Sequence, residues 1–325
     1  MSIQTEHAAV GWGSHLEACG QRKIDYLRIA VTDHCELACA YCAPYGLSTI
    51  EPMSLGAIKR IASVAVTLGI RHIRLTGGEP LCRPDLLKIV EELSSLGLND
   101  LSLTTNGIAL AEQAASLKQA GLKRVNVSVP AVDPSVYARM TGCDRVGDVL
   151  SGITEAKQVG LSPVRVNTVV MHGINDTEIL PFVDFAQREG ICVRFIEFMA
   201  PAGKPDDRLV TADEILGTLE DFSPAPPTSE AGKGPASYYS LNNGGLVGII
   251  APVTKPFCGE CNRLRVTADG RLRACLIEPR EINLLPLLQS TDSDDALKAA
   301  FQQVSAMKPQ QYHGSLPTAM RHIGG

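Results

Sequence analysis

No apolar run in this chain approaches the ~20 residues needed to cross a bilayer, so a helical membrane span is excluded. The opening stretch, MSIQTEHAAVGWGSHLE, lacks the basic-then-apolar order of a secretory leader. The expected location is the cytoplasm. There is no surplus of positive charge: 30 Lys and Arg stand against 35 Asp and Glu, a formal charge of −5. That argues against a nucleic-acid partner and leaves room only for a local basic patch. Neither G-x4-G-K-[ST] nor G-x-G-x-x-G occurs, which removes the usual phosphate loop and dinucleotide fingerprint. No repeat of solenoid period is present either.

What the chain does have is cysteine. Ten occur in 325 residues, too dispersed for the disulfide scaffold of a short secreted domain. Six fall into two triads. Cys35, Cys39 and Cys42 have the spacing C-x3-C-x2-C; Cys258, Cys261 and Cys275 have the spacing C-x2-C-x13-C. In a reducing compartment such sets read as metal or redox sites. Cys19, Cys82, Cys143 and Cys192 stand apart and read as small buried hydrophobes.

From Tyr26 to about Met199, short β-branched runs alternate with helical stretches. Strands are expected at Leu27–Val31, His72–Leu75, Leu101–Thr104, Arg124–Val129, Arg165–Val170 and Val193–Phe198. The intervening helices end at Gly69, Gly97, Gly121, Gly160 and Gly190, the usual left-handed stop. Strand–helix alternation implies a parallel sheet. Six such strands suit a partial TIM-type (βα)6 barrel, with ligand residues at the carboxyl ends of the strands. The stretches 200–208 and 222–234 read as Pro- and Gly-rich loops. Beyond them, Leu246–Ile250, Leu264–Thr267 and Leu272–Ala274 are expected to be short antiparallel strands, and Ile282–Leu288 and Ala296–Val304 helices. The division expected is a segment 1–25, a barrel 26–200 and a C-terminal extension 201–325.

Each triad is one ligand short of a closed tetrahedral site. A cubane held by three thiolates leaves one iron open to a small molecule. A structural zinc site or a set of redox thiols is the alternative for the first triad, and a zinc ribbon with a solvated basic face for the second. RLTGGEP (residues 74–80) follows a strand; its glycines permit close backbone approach, and Glu79 offers a carboxylate for an ammonium. Read alone, it is an ordinary turn. Arg263 and Arg265 share one strand face and suit a phosphate.

The run C-x3-C-x-Y-C resembles the signature of radical S-adenosylmethionine (SAM) enzymes, and RLTGGEP resembles their GGE motif. CNRLRVTADGRLRACL with the closing Gly324-Gly325 narrows the resemblance to the GTP 3′,8-cyclases of molybdenum cofactor biosynthesis, over about residues 22–325. The resemblance implies two [4Fe-4S] clusters, on Cys35, Cys39 and Cys42 and on Cys258, Cys261 and Cys275. It implies SAM at Tyr41, Gly78, Glu79, Ser128 and Met199, and GTP at Arg28, Arg74, Thr105, Arg165, Arg263, Leu264 and Arg265. Arg28, Arg165 and Arg265 are the expected catalytic arginines. Hydrogen abstraction from the ribose 3′ carbon and attack on guanine C8 is the implied reaction. The implied partners are a flavodoxin-like electron donor, a downstream cyclic pyranopterin monophosphate synthase and a second copy in a homodimer. A paralogue acting on a peptide or another nucleotide is the alternative. The chain departs from the family pattern at Arg165, usually Lys, at Pro130-Ala131, and at Glu36, commonly Asn.

Overall fold

The computed structural model describes residues 16–18, 22–42, 50–200, 206–219, 222–225, 234–242, 245–289, 294–311 and 323. Strands β1 (Leu16–Ala18) and β2 (Arg22–Ile24) form an antiparallel hairpin. Then β3 (Tyr26–Ala30), α1 (Leu55–Thr67), β4 (His72–Thr76), α2 (Leu86–Ser94), β5 (Asp100–Thr105), α3 (Leu110–Gln119) and β6 (Arg124–Ser128) follow in strict alternation. Two helices, α4 (Pro134–Thr141) and α5 (Val146–Gln158), precede β7 (Arg165–Val170), α6 (Ile179–Glu189) and β8 (Cys192–Glu197). The six expected strands match to within a residue or two, and the five glycines expected to stop helices all have positive φ.

Helix α4 was not anticipated, although its start is chemically plain. Asp133 caps it by accepting from the Ser135 and Val136 backbone N–H groups, and Pro134 occupies the first turn.

The remaining elements are α7 (Ala212–Thr218), β9 (Phe222–Pro224), β10 (Ser237–Leu241), β11 (Leu246–Ile250), β12 (Arg263–Val266), β13 (Arg271–Arg273), β14 (Glu281–Asn283) and α8 (Asp295–Ala306). Their pairing corrects the expected extension. β11 runs parallel to β8, and β12 runs parallel to β3. The C-terminal region therefore adds one parallel strand to each open edge of the six-stranded core. Eight parallel strands stand in the order β12-β3-β4-β5-β6-β7-β8-β11, and short antiparallel strands continue outward on both sides. The expected helix 282–288 is instead β14 followed by a single 3-10 turn, Pro286–Leu288. Glu281 and Asn283 register against Arg273 and Arg271 there, so edge pairing overrides the local apolar pattern.

Period-two alternation sets the two faces of the sheet. Leu27, Ile29, Ile73, Leu75, Leu101, Leu103, Val125, Val127, Val193, Phe195, Leu264 and Val266 are buried in one continuous core. The alternate residues line an interior cavity of about 800 Å³. Among the described residues, no helix is long and apolar enough to cross a membrane.

Candidate functional site

The chain leaves β3 and runs directly into the first triad, so Cys35, Cys39 and Cys42 sit beyond the carboxyl end of that strand. Cys42 closes a tight turn by donating its N–H to the Cys39 carbonyl (2.9 Å). Leaving β4, the GGE stretch lies flat on this loop. Gly78 donates its N–H to the Thr32 carbonyl (2.8 Å), and Glu79 to the His34 carbonyl (2.7 Å). A Cβ on Gly77 would meet the Thr32 carbonyl oxygen at 2.1 Å, and one on Gly78 the His34 carbonyl oxygen at 2.2 Å. These two glycines thus admit the backbone of the cysteine loop itself.

Glu79 is 1% exposed. Its carboxylate accepts from the Leu81 N–H (2.9 Å), the Thr105 hydroxyl (2.7 Å) and the Asn106 N–H (2.6 Å). Burial nonetheless outweighs these bonds and pushes its pKa up to about 7. Thr105 is committed here: its hydroxyl donates to Glu79 and accepts from the Gly107 N–H (2.9 Å).

The second triad lies at the opposite end of the sheet. Arg263, two residues after Cys261, is in register with Tyr26, the first residue of β3. Cys275 follows β13, which runs antiparallel to β12 and brings it back to the same end. At the usual rise per residue, β3 spans about 13 Å between the two ends. The second triad therefore lies away from the carboxyl ends, where ligand residues were expected; the C-terminal strands carry these cysteines to the amino end. Burial would raise the Cys261 thiol, but Lys308 and Arg263 outweigh it and bring the pKa down to about 6. At the other end, burial pushes Cys35 and Cys39 up to about 12.

Between the triads, arginines crowd the cavity wall. Arg265, Arg28 and Arg74 stand side by side on β12, β3 and β4. Arg165 and Arg194 face the same space from β7 and β8, and Arg124 from β6. Arg124 is held by both carboxylate oxygens of Asp100 (2.8 and 2.6 Å). Burial, then the like charges around them, lowers Arg74 and Arg265 to about 10 and takes Arg28 well below its ordinary value. Two unit charges at a strand spacing of about 5 Å repel by about 3 kcal/mol at an effective dielectric constant of ~20. A polyanion offsets such a wall, and a net-negative chain has concentrated its cations here.

The cavity brings together Arg28, Cys35, Cys39, Tyr41, Cys42, Arg74, Gly78, Glu79, Thr105, Ser128, Arg165, Met199, Cys258, Cys261, Arg263, Arg265 and Cys275. Of the residues anticipated from sequence, Leu264 is not among them: its side chain is fully buried in the core, as alternation between Arg263 and Arg265 requires. Arg194 was missed, although its position one pleat from Val193 and Phe195 made it legible. Its guanidinium donates to Asn126 Oδ1 (2.5 Å). Lys308 was also missed, and nothing local to its sequence signals it. Cys82 is not the buried apolar residue expected: it is half-buried and donates to Glu36 Oε2 (3.0 Å). Cys19 and the Gly324-Gly325 tail lie outside the described residues.

Soft thiolates suit iron–sulfur clusters and zinc alike. Thiolates on one zinc lie about 4 Å apart, given Zn–S bonds of about 2.3 Å. Among the described residues, no three or more His, Cys, Asp or Glu side chains converge for a single ion. Three thiols at each end of the cavity are the donor set that an iron–sulfur cluster takes. Metal binding displaces the thiol protons, so the raised thiols of the first triad make loading there favour alkaline conditions.

A strand–helix barrel whose first loop carries a three-cysteine set, with a GGE stretch laid against it, has the fold of the radical SAM enzymes. Residues 29–186 match the Radical SAM superfamily, and residues 191–314 match Molybdenum Cofactor Synthesis C. Streptococcus suis SuiB has a similar fold, with a TM-score of 0.58 at 15% identity over 86% of this chain and 68% of that one. Sequence likeness is closer to the GTP 3′,8-cyclase of Moorella thermoacetica, 42% identical over 321 residues, covering 94% of this chain and 98% of the relative. The GTP 3′,8-cyclase of Thermodesulfovibrio yellowstonii is 40% identical over 317 residues, with the same coverage. The chain belongs to the GTP 3′,8-cyclase family. Superfamily membership brings with it one [4Fe-4S] cluster and SAM.

Proposed function

We propose that this chain converts GTP to (8S)-3′,8-cyclo-7,8-dihydroguanosine 5′-triphosphate, an early step of molybdenum cofactor biosynthesis. One observation carries the reading: a single arginine-walled cavity is bounded by a three-cysteine set at each end. When bound at Cys35, Cys39 and Cys42, the first cluster and SAM supply the radical that takes hydrogen from the ribose 3′ carbon. The chain's residues supply position. Glu79 offers a carboxylate to the SAM ammonium, with Tyr41, Gly78, Ser128 and Met199 around the rest of the molecule. Arg28, Arg74, Arg165 and Arg194 neutralise the triphosphate, and Arg263 and Arg265 hold the nucleotide against the second end. Cys258, Cys261 and Cys275 would hold a second [4Fe-4S] cluster at the end of the cavity where the purine would bind.

Electrons come from a flavodoxin-like donor, the product passes to a cyclic pyranopterin monophosphate synthase, and the enzyme works in the cytoplasm as a homodimer.

The test is anaerobic incubation of reconstituted protein with GTP, SAM and reductant. Formation of 5′-deoxyadenosine and of a 3′,8-linked GTP product is expected, with about eight iron per chain. Deoxyadenosine without cyclised GTP would remove the substrate assignment; about four iron would remove the second cluster.

A further inference from the structure

We propose that Lys308 is a positioning residue for the second metal centre. Its buried ammonium ties together the strand ends that carry Cys261 and Cys275, and it sets the reduction potential of the cluster held there. This rests on the assignment of a cluster to the second triad.

Lys308 is 3% exposed, and lysine is almost never buried to that degree without partners. The ammonium donates to the Arg263 carbonyl (2.6 Å) and to the Ala274 carbonyl (2.7 Å). Arg263 lies two residues beyond Cys261, and Ala274 immediately precedes Cys275. The registered β12–β13 pairs are Arg265–Arg273 and Val266–Leu272. Past Arg265 and Arg273 the ladder no longer fixes the distance between the two strands, and the ammonium does so instead. Held on these two carbonyls, it stands beside Cys261 and Cys275, and its charge favours the Cys261 thiolate.

Lys308 is itself anchored from the far end of the sequence. The Arg22 guanidinium, on β2, donates to the carbonyls of Lys308 (3.5 Å), Pro309 (3.3 Å) and Cys258. The neighbouring arginines have other engagements. Arg263 lies over the Phe257 ring (5.4 Å). Arg273 donates to the Glu278 carbonyl (2.9 Å) and faces Glu281. Lys308 is thus a buried side-chain cation held directly at the two strand ends that carry Cys261 and Cys275. A cation beside the ligand sulfurs favours the more negative, reduced cluster and raises its potential. A nearly water-free setting strengthens that effect.

The test compares unmutated, Lys308→Met and Lys308→Arg chains after anaerobic reconstitution. The readouts are iron and sulfide content and a potentiometric titration followed by electron paramagnetic resonance. Variants with Cys35, Cys39 and Cys42 or with Cys258, Cys261 and Cys275 changed to Ala assign the signal of each cluster. Lys308→Met is expected to lower the potential of the second cluster alone, or to lose about half of the iron. Lys308→Arg is expected to restore both. The first cluster serves as the folding control and stays unchanged. An unaltered second-cluster potential in Lys308→Met overturns the proposal, as does a Lys308→Arg chain that behaves like Lys308→Met. About four iron in the unmutated chain, with none at the second triad, instead removes the second-cluster assignment itself.

Discussion

Arg265 and Arg28 occupy paired positions in the parallel β12–β3 ladder, and Arg74 stands next in the same row. Like charges in adjacent register are destabilising unless something offsets them. Arg265→Ala removes one charge from the row. GTP affinity is expected to fall about ten- to a hundredfold, as loss of a charge-assisted contact of ~1.5–3 kcal/mol dictates. The nucleotide-free chain should be no less stable in urea, because relieved repulsion opposes the lost packing. SAM cleavage should persist while cyclisation is lost. Retention of both activities would remove Arg265 from the nucleotide site.

Arg165 faces the cavity from β7, in register with Asn126 on β6. Arg165→Lys keeps the charge but replaces a planar fork with a point donor. Equilibrium binding of GTP should weaken only a few-fold in Arg165→Lys, and about tenfold or more in Arg165→Met. Equal losses in the two variants would show that shape, not charge, is what this position contributes.

Glu79 gives the site a pH dependence. An unfolded glutamate titrates near 4.5, and in the fold burial raises Glu79 to about 7. Between those values the folded chain holds a proton that the unfolded chain has released. The stability this contributes in the ligand-free protein is full below about 4.5 and is lost as pH rises through about 7. With Glu79 in the proposed place beside the SAM amino group, SAM binding is expected to have the opposite sign, because the ionised carboxylate is the better acceptor. SAM affinity, measured by anaerobic equilibrium dialysis from about pH 6 to about pH 8, should rise through about 7 and should be flat in Glu79→Gln. A pH step that survives Glu79→Gln assigns the titration elsewhere.

Thr105 supports the same carboxylate. Thr105→Val removes a donor from Glu79 and an acceptor from the Gly107 N–H. Unfolding in urea should show a loss of about 1–3 kcal/mol, and the pH step in SAM binding should move upward. A shift downward would contradict the hydrogen bond.

Gly78→Ala tests the close approach to the cysteine loop. The added methyl would meet the His34 and Asp33 carbonyl oxygens at 2.2 and 2.6 Å. Both are backbone atoms and cannot swing away. Iron bound at the first triad should fall to about half or less after reconstitution, with the second triad unaffected. Full iron loading with weakened SAM binding would instead place the role of Gly78 at the ligand.

The two cysteine spacings, the GGE stretch and the alternation of Leu27, Arg28 and Ile29 are local features, and local features can be read along a chain. Covalent spacing clusters the thiols of each short loop, and the pleat sends Arg28, Arg165 and Arg265 inward as Leu27, Val166 and Leu264 point outward. The sequence by itself therefore determined the six-stranded core, the grouping of the thiols in both triads and most of the arginine wall. Only the tertiary structure decided that β11 and β12 join the open edges as parallel strands, because strand pairing is settled between segments distant in sequence, as in Leu246 beside Cys192 and Arg265 beside Arg28. That pairing puts the triads at opposite ends of one cavity and brings Arg22 and Lys308 to the second triad. None of these contacts leaves a trace in local periodicity, because each depends on where the folded backbone returns.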